Sequence, residues 1–267
     1  MSLNAYETLE RVRQQKPIVH HLTNWVTIYD CAQVVKTLGA SPVMAHAPEE
    51  VAEMTQIASA LVLNIGTLTT DFVEAMKLAL RSANQKRIPV VLDVCGAGAT
   101  RLRDQKCLEL FEAGRVDVIK GNASEVARIS GASVQTRGVD STEVSGDLAT
   151  MARQLALARK ATVVITGKED IITNGTKTCL VKNGHPMMTH VVGTGCMAAS
   201  VIGTFAAVEA DLVSAATCAL SCFGIAAELA AESAAGPAGF KERLFDCLYQ
   251  LDSQTCTRLQ KIECTAQ

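Results

Sequence analysis

The 267-residue chain has little of several things, and each shortage removes a class of protein. The net charge is only -2, with no basic footprint for nucleic acid to find, so no nucleic-acid partner is expected. No positively charged stretch followed by an apolar segment opens the chain, so no secretory signal is expected. No uncharged apolar run reads as a membrane span; the alanine-rich stretch Val213–Ala231 carries Glu228 and reads as a core helix. Phosphate-loop enzymes are excluded by the lack of Gly-x-x-x-x-Gly-Lys-Ser/Thr, and a dinucleotide fold is disfavoured because no Gly-x-Gly-x-x-Gly follows the first strand. Ten cysteines are present, but they are scattered and form no Cys-x-x-Cys pair; Cys218 and Cys222 fall at helical spacing. Reduced thiols in a cytoplasmic protein are therefore expected.

What remains is apolar and small. Hydrophobic residues make up 48% of the chain but aromatic ones only 4%, a balance that suits helices packed closely on a buried sheet. The near-continuous apolar run Ala60–Ile65 reads as a strand buried on both faces, with Pro89–Val94 as another, and Ile18–Leu22, Ser41–Ala45, Val116–Ile119 and Thr162–Ile165 read as further strands. Helical periodicity falls between them, over Leu3–Gln15, Trp25–Leu38, Phe72–Gln85, Leu108–Gly114 and Asp147–Ala161, with another helix opened by Pro48-Glu49-Glu50. Gly131–Gly146 reads as a polar surface loop. Asp170–Thr173 and Thr178–Val181 read as a hairpin across Asn174-Gly175. Two alanine-rich helices and a final amphipathic helix from Phe240 complete the chain. The alternation predicts an α/β fold with a mostly parallel central sheet and helices on both faces, as one domain over 1–267.

In such a sheet, loops at the strand carboxyl ends converge on one crevice. Asn24 follows the first strand, as a ligand contact or a helix cap. Met44 lies near the end of the second, as ligand contact or core. Asp93 heads the glycine loop Gly96-Ala97-Gly98-Ala99, and the alternative there is a capped turn. Lys120 can reach phosphate as a point charge. Asn122 and Glu125 share a face at a helix start, where oxygen atoms could hold magnesium through water or simply cap the helix. The chain centres on Val191-Val192-Gly193-Thr194-Gly195-Cys196, where a Gly-x-Gly turn enters a helix. The unpartnered N–H groups and dipole of that helix start make an anion site. Cys196 sits in its first turn, where that field lowers a thiol pKa, although a free cysteine can equally be a small buried hydrophobe.

These stretches resemble the ribokinase-like superfamily and, within it, the hydroxyethylthiazole kinases of thiamine salvage. The resemblance rests on Thr23-Asn24, Leu38-Gly39-Ala40-Ser41-Pro42-Val43-Met44, Ala60–Thr67, Gly96-Ala97-Gly98-Ala99, Gly121-Asn122-Ala123-Ser124-Glu125, Gly138-Val139-Asp140, Thr166-Gly167 and Val192–Cys196. It implies a three-layer α/β/α ribokinase-like fold and an ATP- and Mg2+-dependent kinase of 4-methyl-5-(2-hydroxyethyl)thiazole. It also implies a homotrimer with its sites at subunit interfaces. By position, Met44, Gly193 and Asn24 belong to the thiazole pocket, Lys120 and Thr166 to ATP, and Asp93 and Glu125 to the metal and phosphate region. Cys196 stands where many ribokinase-like enzymes place an aspartate base. The chain departs from the family pattern at Val94-Cys95 after Asp93, at Lys120 in place of arginine, at Lys168 after Gly167 and at Trp25. Kinases of hydroxymethylpyrimidine or pyridoxal, and a non-catalytic sensor, are the competing readings.

Overall fold

The computed structural model describes residues 3–131 and 141–266. Helix α1 (Ala5–Gln15) precedes β1 (Ile18–Leu22), α2 (Ile28–Thr37), β2 (Ser41–Val43), α3 (Val51–Ile57) and β3 (Ala60–Asn64). Then follow α4 (Thr70–Lys86), β4 (Val90–Asp93), α5 (Arg101–Ala113), β5 (Val118–Asn122), α6 (Ala123–Ser130), α7 (Ser141–Arg159) and β6 (Thr162–Thr166). The hairpin strands β7 (Asp170–Thr173) and β8 (Lys177–Val181) lead through a 3-10 turn (Pro186–His190) into α8 (Thr194–Ala206) and α9 (Leu212–Ala231). Helices α10 (Pro237–Gln250) and α11 (Ser253–Leu259) and strand β9 (Ile262–Ala266) end the described chain.

All of these strands join one sheet in the order β2-β1-β3-β4-β5-β6-β7-β8-β9. Pairing is parallel from β2 to β6 and antiparallel from β6 to β9. Alternate residues of the parallel strands feed two cores. Val62, Val91, Val118 and Val164 pack with α1, α2, α8, α9 and α10 on one face. Leu61, Leu63, Leu92, Ile119 and Val163 pack with α4, α5, α6 and α7 on the other. Because both faces are covered, the strands read as unbroken apolar runs. The result is a three-layer α/β/α fold. Gly203 of α8 shows how close the layers lie: a Cβ there would stand 2.3 Å from Val62 Cγ2. Helix α9 is long and apolar enough to cross a membrane, yet most of it is buried inside the fold, in agreement with its reading as a core helix.

Several expected boundaries move. Helix α2 starts at Ile28 rather than Trp25, because Asn24 Oδ1 accepts from both Thr27 N and Thr27 Oγ1 and holds 25–27 as a turn. Helix α5 starts at Arg101, seven residues ahead of Leu108; Thr100 caps it by accepting from Arg103 N, and its charged first turns hide the apolar periodicity. Strand β5 runs on through Lys120-Gly121-Asn122, placing these residues inside the sheet edge rather than after it. The expected loop over 131–146 lies partly outside the described residues, as does Gly138-Val139-Asp140; from Ser141 the chain is already α7. The helix from Phe240 is not the last element, since α11 and β9 follow. The expectation that all thiols are reduced is also corrected: β8 and β9 pair Cys179 with Cys264, and these two form a disulfide.

Candidate active site

Parallel registers bring the strand ends level. Asn64 pairs with Asp93, Asp93 with Lys120, and Asn122 with Thr166. The loop after β1 and the start of α8 close the same edge. No strand leads into Gly193. Val191-Val192 follow the 3-10 turn, where Pro186 sits at the start, His185 Nδ1 accepts from Met187 N and Thr194 Oγ1 donates to Met188 O. Gly193 takes φ +95°, and a Cβ there would lie 2.5 Å from Thr27 Cγ2, so only glycine lets this helix entry close on the β1 loop. Gly193 is the N-cap of α8 and brings no side chain to its free N–H groups.

Beneath that helix start lies a buried polar chain. Asn24 Nδ2 donates to Asn64 Oδ1 at 3.2 Å and to Cys196 Sγ at 2.9 Å. Asn64 Nδ2 donates to Asp93 Oδ2 at 2.8 Å and to Cys196 Sγ at 3.4 Å. Lys120 Nζ lies 3.3 Å from Asp93 Oδ2, and both are almost wholly buried. A Gly195 Cβ would stand 3.4 Å from Lys120 Nζ, so the ammonium lies directly against the first turn of α8.

The charges follow from these contacts. The neighbouring Cys95 thiol draws the Cys196 thiol down; burial opposes it, and Thr27, Lys120 and Asn24, whose Nδ2 donates to Sγ, reinforce it. Burial lifts Asp93 to about 7 against the pull of Lys120, with Cys196 and Glu125 adding to the lift. Burial draws Lys120 down, but Asp93, Glu125 and Cys196 outweigh it and hold the amine above its usual value. The crevice thus presents a fixed cation and a thiolate beside helix N–H groups.

Asn122 and Glu125 form a capping box: Asn122 Oδ1 accepts from Glu125 N at 2.9 Å, and Glu125 Oε2 accepts from Asn122 N at 2.8 Å. The other Glu125 oxygen accepts from Gly96 N at 2.7 Å, tying the glycine loop to α6. Thr166 ends β6 part-buried, its hydroxyl donating to Gly121 O at 3.4 Å. Met44 stands part-buried just after β2, and the loop beyond it is held by His20, whose Nε2–H donates to Ala45 O at 2.7 Å. Asn24, Asp93, Lys120, Gly193 and Cys196 are thus joined in one network, with Glu125 and Thr166 at its border and Met44 on the far side of β1.

Residues that sequence reasoning missed complete it. Asn64 bridges the β1 loop, Asp93 and Cys196; its place at the end of an apolar run was the available signal. Arg103 donates to Ile65 O, Cys95 O and Gly66 O, locking the β3 and β4 loops together from a helix whose start was not recognised. Asp170 is lifted by burial to about 7, against Gly167 N–H and Lys120.

A family model described as the hydroxyethylthiazole kinase family matches residues 9–254. The chain belongs to the hydroxyethylthiazole kinase family. A relative named hydroxyethylthiazole kinase from Methanosarcina mazei is 52% identical over 96% of this chain and 98% of its own. The solved structure of the hydroxyethylthiazole kinase protein from Pyrococcus horikoshii superposes with a TM-score of 0.91 at 39% identity, covering 98% of each chain. A ribokinase-like superfamily protein from Enterococcus faecalis shares the fold alone, with a TM-score of 0.62 and 15% identity over 86% of each chain. The α/β/α architecture is accordingly ribokinase-like.

Proposed function

We propose that this chain transfers the γ-phosphoryl group of ATP to the hydroxyl of 4-methyl-5-(2-hydroxyethyl)thiazole, giving 4-methyl-5-(2-phosphoethyl)thiazole in thiamine salvage. The observation that carries this reading is the start of α8, with Lys120 against it and the Cys196 sulfur in its first turn, in a chain of this family. Phosphoryl transfer passes through a loose transition state, so positioning and charge matter more than covalent chemistry. The α8 N–H groups take the transferring phosphoryl oxygens. Lys120 adds a point charge beneath them, and Thr166 faces the nucleotide from β6. Cys196 takes the hydroxyl proton late in the transfer. Asn24, Gly193 and Met44 bound the thiazole side.

Magnesium accompanying ATP would supply further neutralisation of the phosphates. Such a metal uses one or two carboxylates, with phosphate oxygens and water completing its shell. Asp93 is the carboxylate at the strand end that would hold it, and to do so it would exchange the contacts of its buried oxygens with Lys120 and Asn64. Both Glu125 oxygens already accept from backbone N–H groups, so Glu125 serves the metal region by fixing the loop over Asp93.

The homotrimer, with sites at subunit interfaces, belongs to the same reading. Trp25, Val26, Tyr29 and Val192 are large, apolar and exposed on the two segments that meet at Thr27 and Gly193, and a partner subunit there would cover them. The chain acts as one kinase domain over 1–267 in the cytoplasm. Incubation with ATP, magnesium and the thiazole alcohol should yield the phosphate ester by mass spectrometry; phosphorylation of pyridoxal or hydroxymethylpyrimidine alone would refute the substrate. Light scattering should find a trimer, and a fully active monomer would refute the shared site.

A further inference from the structure

The loops after β1 and β3, the end of β4 and the start of α8 meet at Asn64, whose side chain uses every hydrogen-bonding group it has. Asn64 closes β3 and is only 1% exposed, so it acts on the crevice through its neighbours. Its Oδ1 accepts from Gly66 N at 2.8 Å and from Asn24 Nδ2 at 3.2 Å. Its Nδ2 donates to Asp93 Oδ2 at 2.8 Å and to Cys196 Sγ at 3.4 Å. A backbone N–H can only donate, so Gly66 settles which end of the carboxamide is oxygen and turns the amino end toward Asp93 and Cys196. Asn24 is fixed in the same way: its Oδ1 accepts from Thr27 N and Thr27 Oγ1, and its Nδ2 donates to Cys196 Sγ at 2.9 Å. Two amide groups thus converge on one sulfur and make it the acceptor. The loop that aims them is itself held. Arg103 donates to Ile65 O and Gly66 O, and a Cβ on Gly66 would stand 2.9 Å from both Asn24 Nδ2 and Asn64 Oδ1. Only glycine lets the two carboxamides meet there.

We propose that Asn64 is a positioning residue for the transfer: through its amide it holds the Cys196 sulfur in place to meet the substrate hydroxyl. The proposal rests on the base role given to Cys196 above and names what aims that base. A cysteine side chain has staggered wells about χ1, and the two N–H donors confine Sγ to the well in which both contacts form. With two lone pairs so engaged, a thiolate sulfur keeps one for the incoming proton. Misplacing such a group by about 1 Å costs up to about 100-fold in rate. Loss of the Asn64 side chain also loosens Asn24, because Asn64 Oδ1 is the other partner of Asn24 Nδ2. Neither carboxamide carries charge, so the pair works by direction and leaves the binding of nucleotide and alcohol as it was.

The test is a double-variant cycle in the full-length chain: the parent, Asn64→Ser, Cys196→Ala and the two together, each with ATP, magnesium and the thiazole alcohol. Serine keeps a small polar group beside Gly66 N and is too short to bring a donor to Sγ. Circular dichroism and ATP binding report the fold. Asn64→Thr, which fills more space and suits a strand, takes the place of a serine variant that fails to fold. The expected result is a turnover number about 10- to 100-fold lower in Asn64→Ser, with both Michaelis constants within about 2-fold of the parent. In the Cys196→Ala background the same change should lower turnover by less than about 2-fold, because the sulfur through which Asn64 acts is gone. An equal loss in both backgrounds would overturn the proposal, as would a folded variant whose turnover is unchanged or one in which only a Michaelis constant rises. Cys196→Ala as fast as the parent, or a parent that makes no phosphate ester, would overturn the reading beneath it and the proposal together.

Discussion

Cys196 offers the sharpest quantitative prediction, because its state can be read without turnover. With its thiol drawn well below the usual range, Cys196 gains thiolate at pH 7 over an unperturbed group, of which roughly a few per cent is ionised there. Part of that gain comes from the 2.9 Å bond donated by Asn24. A hydrogen bond to a charged acceptor contributes about 1.5–3 kcal/mol, which corresponds to about 1–2 pKa units. Asn24→Ala removes that donor and favours the protonated thiol, so the titration should move up by that amount. The assay is the rate of iodoacetamide alkylation at Cys196 against pH, resolved by peptide mass. Alkylation is preferred to turnover because Asp93, held at about 7, changes charge in the same window. An alkylation midpoint above about 8 in the parent would refute the account of the site's electrostatics. A midpoint unmoved in folded Asn24→Ala would refute the part assigned to Asn24.

Further substitutions probe neighbouring parts of the same argument. Lys120→Ala should raise the ATP Michaelis constant more than that of the thiazole. It should also lower stability in denaturant unfolding, but by less than the about 3–5 kcal/mol of a stranded buried charge, since burial then leaves Asp93 protonated once Lys120 no longer holds it down. Lys120→Arg should retain activity, because a guanidinium keeps a cation beside Asp93 and the start of α8. Gly193→Ala should cost about 1–3 kcal/mol of stability, because φ +95° and the Thr27 methyl both oppose a Cβ; unchanged melting and kinetics would contradict that packing. Cys196→Asp should keep or raise the turnover number: a carboxylate is ionised throughout the neutral range, and the adjacent Lys120 and helix N–H groups mute its repulsion of phosphate.

The parts of this molecule written in the sequence are those that depend on local rules. Strands β1 and β3 announce themselves as apolar runs because both faces are buried. Asn122 and Glu125 announce a helix start because a capping box needs only residues three apart. The Gly-x-Gly entry to α8 is legible for the same reason. Asn64 was not, because its partners Asn24, Asp93 and Cys196 come from other loops and from a distant helix that only the fold brings alongside. Arg103 was hidden behind a helix whose first turns are charged. The Cys179–Cys264 bond joins β8 to a strand that arrives after four further α-helices, and nothing in the spacing of those cysteines marks the pairing. Before Gly193, Val191-Val192 carry β-propensity, yet no strand forms there because no sheet edge is within reach.

The account's central claim is that one crevice, with Cys196 as proton acceptor, phosphorylates the thiazole alcohol at the expense of ATP. It is tested most directly by measuring ADP formation at saturating ATP and magnesium against thiazole alcohol concentration, in the parent and in Cys196→Ala. The account predicts ADP release that requires the alcohol and a turnover number about 10- to 1000-fold lower in the variant, with ATP binding retained. ADP release independent of the alcohol, or a variant as fast as the parent, would contradict it.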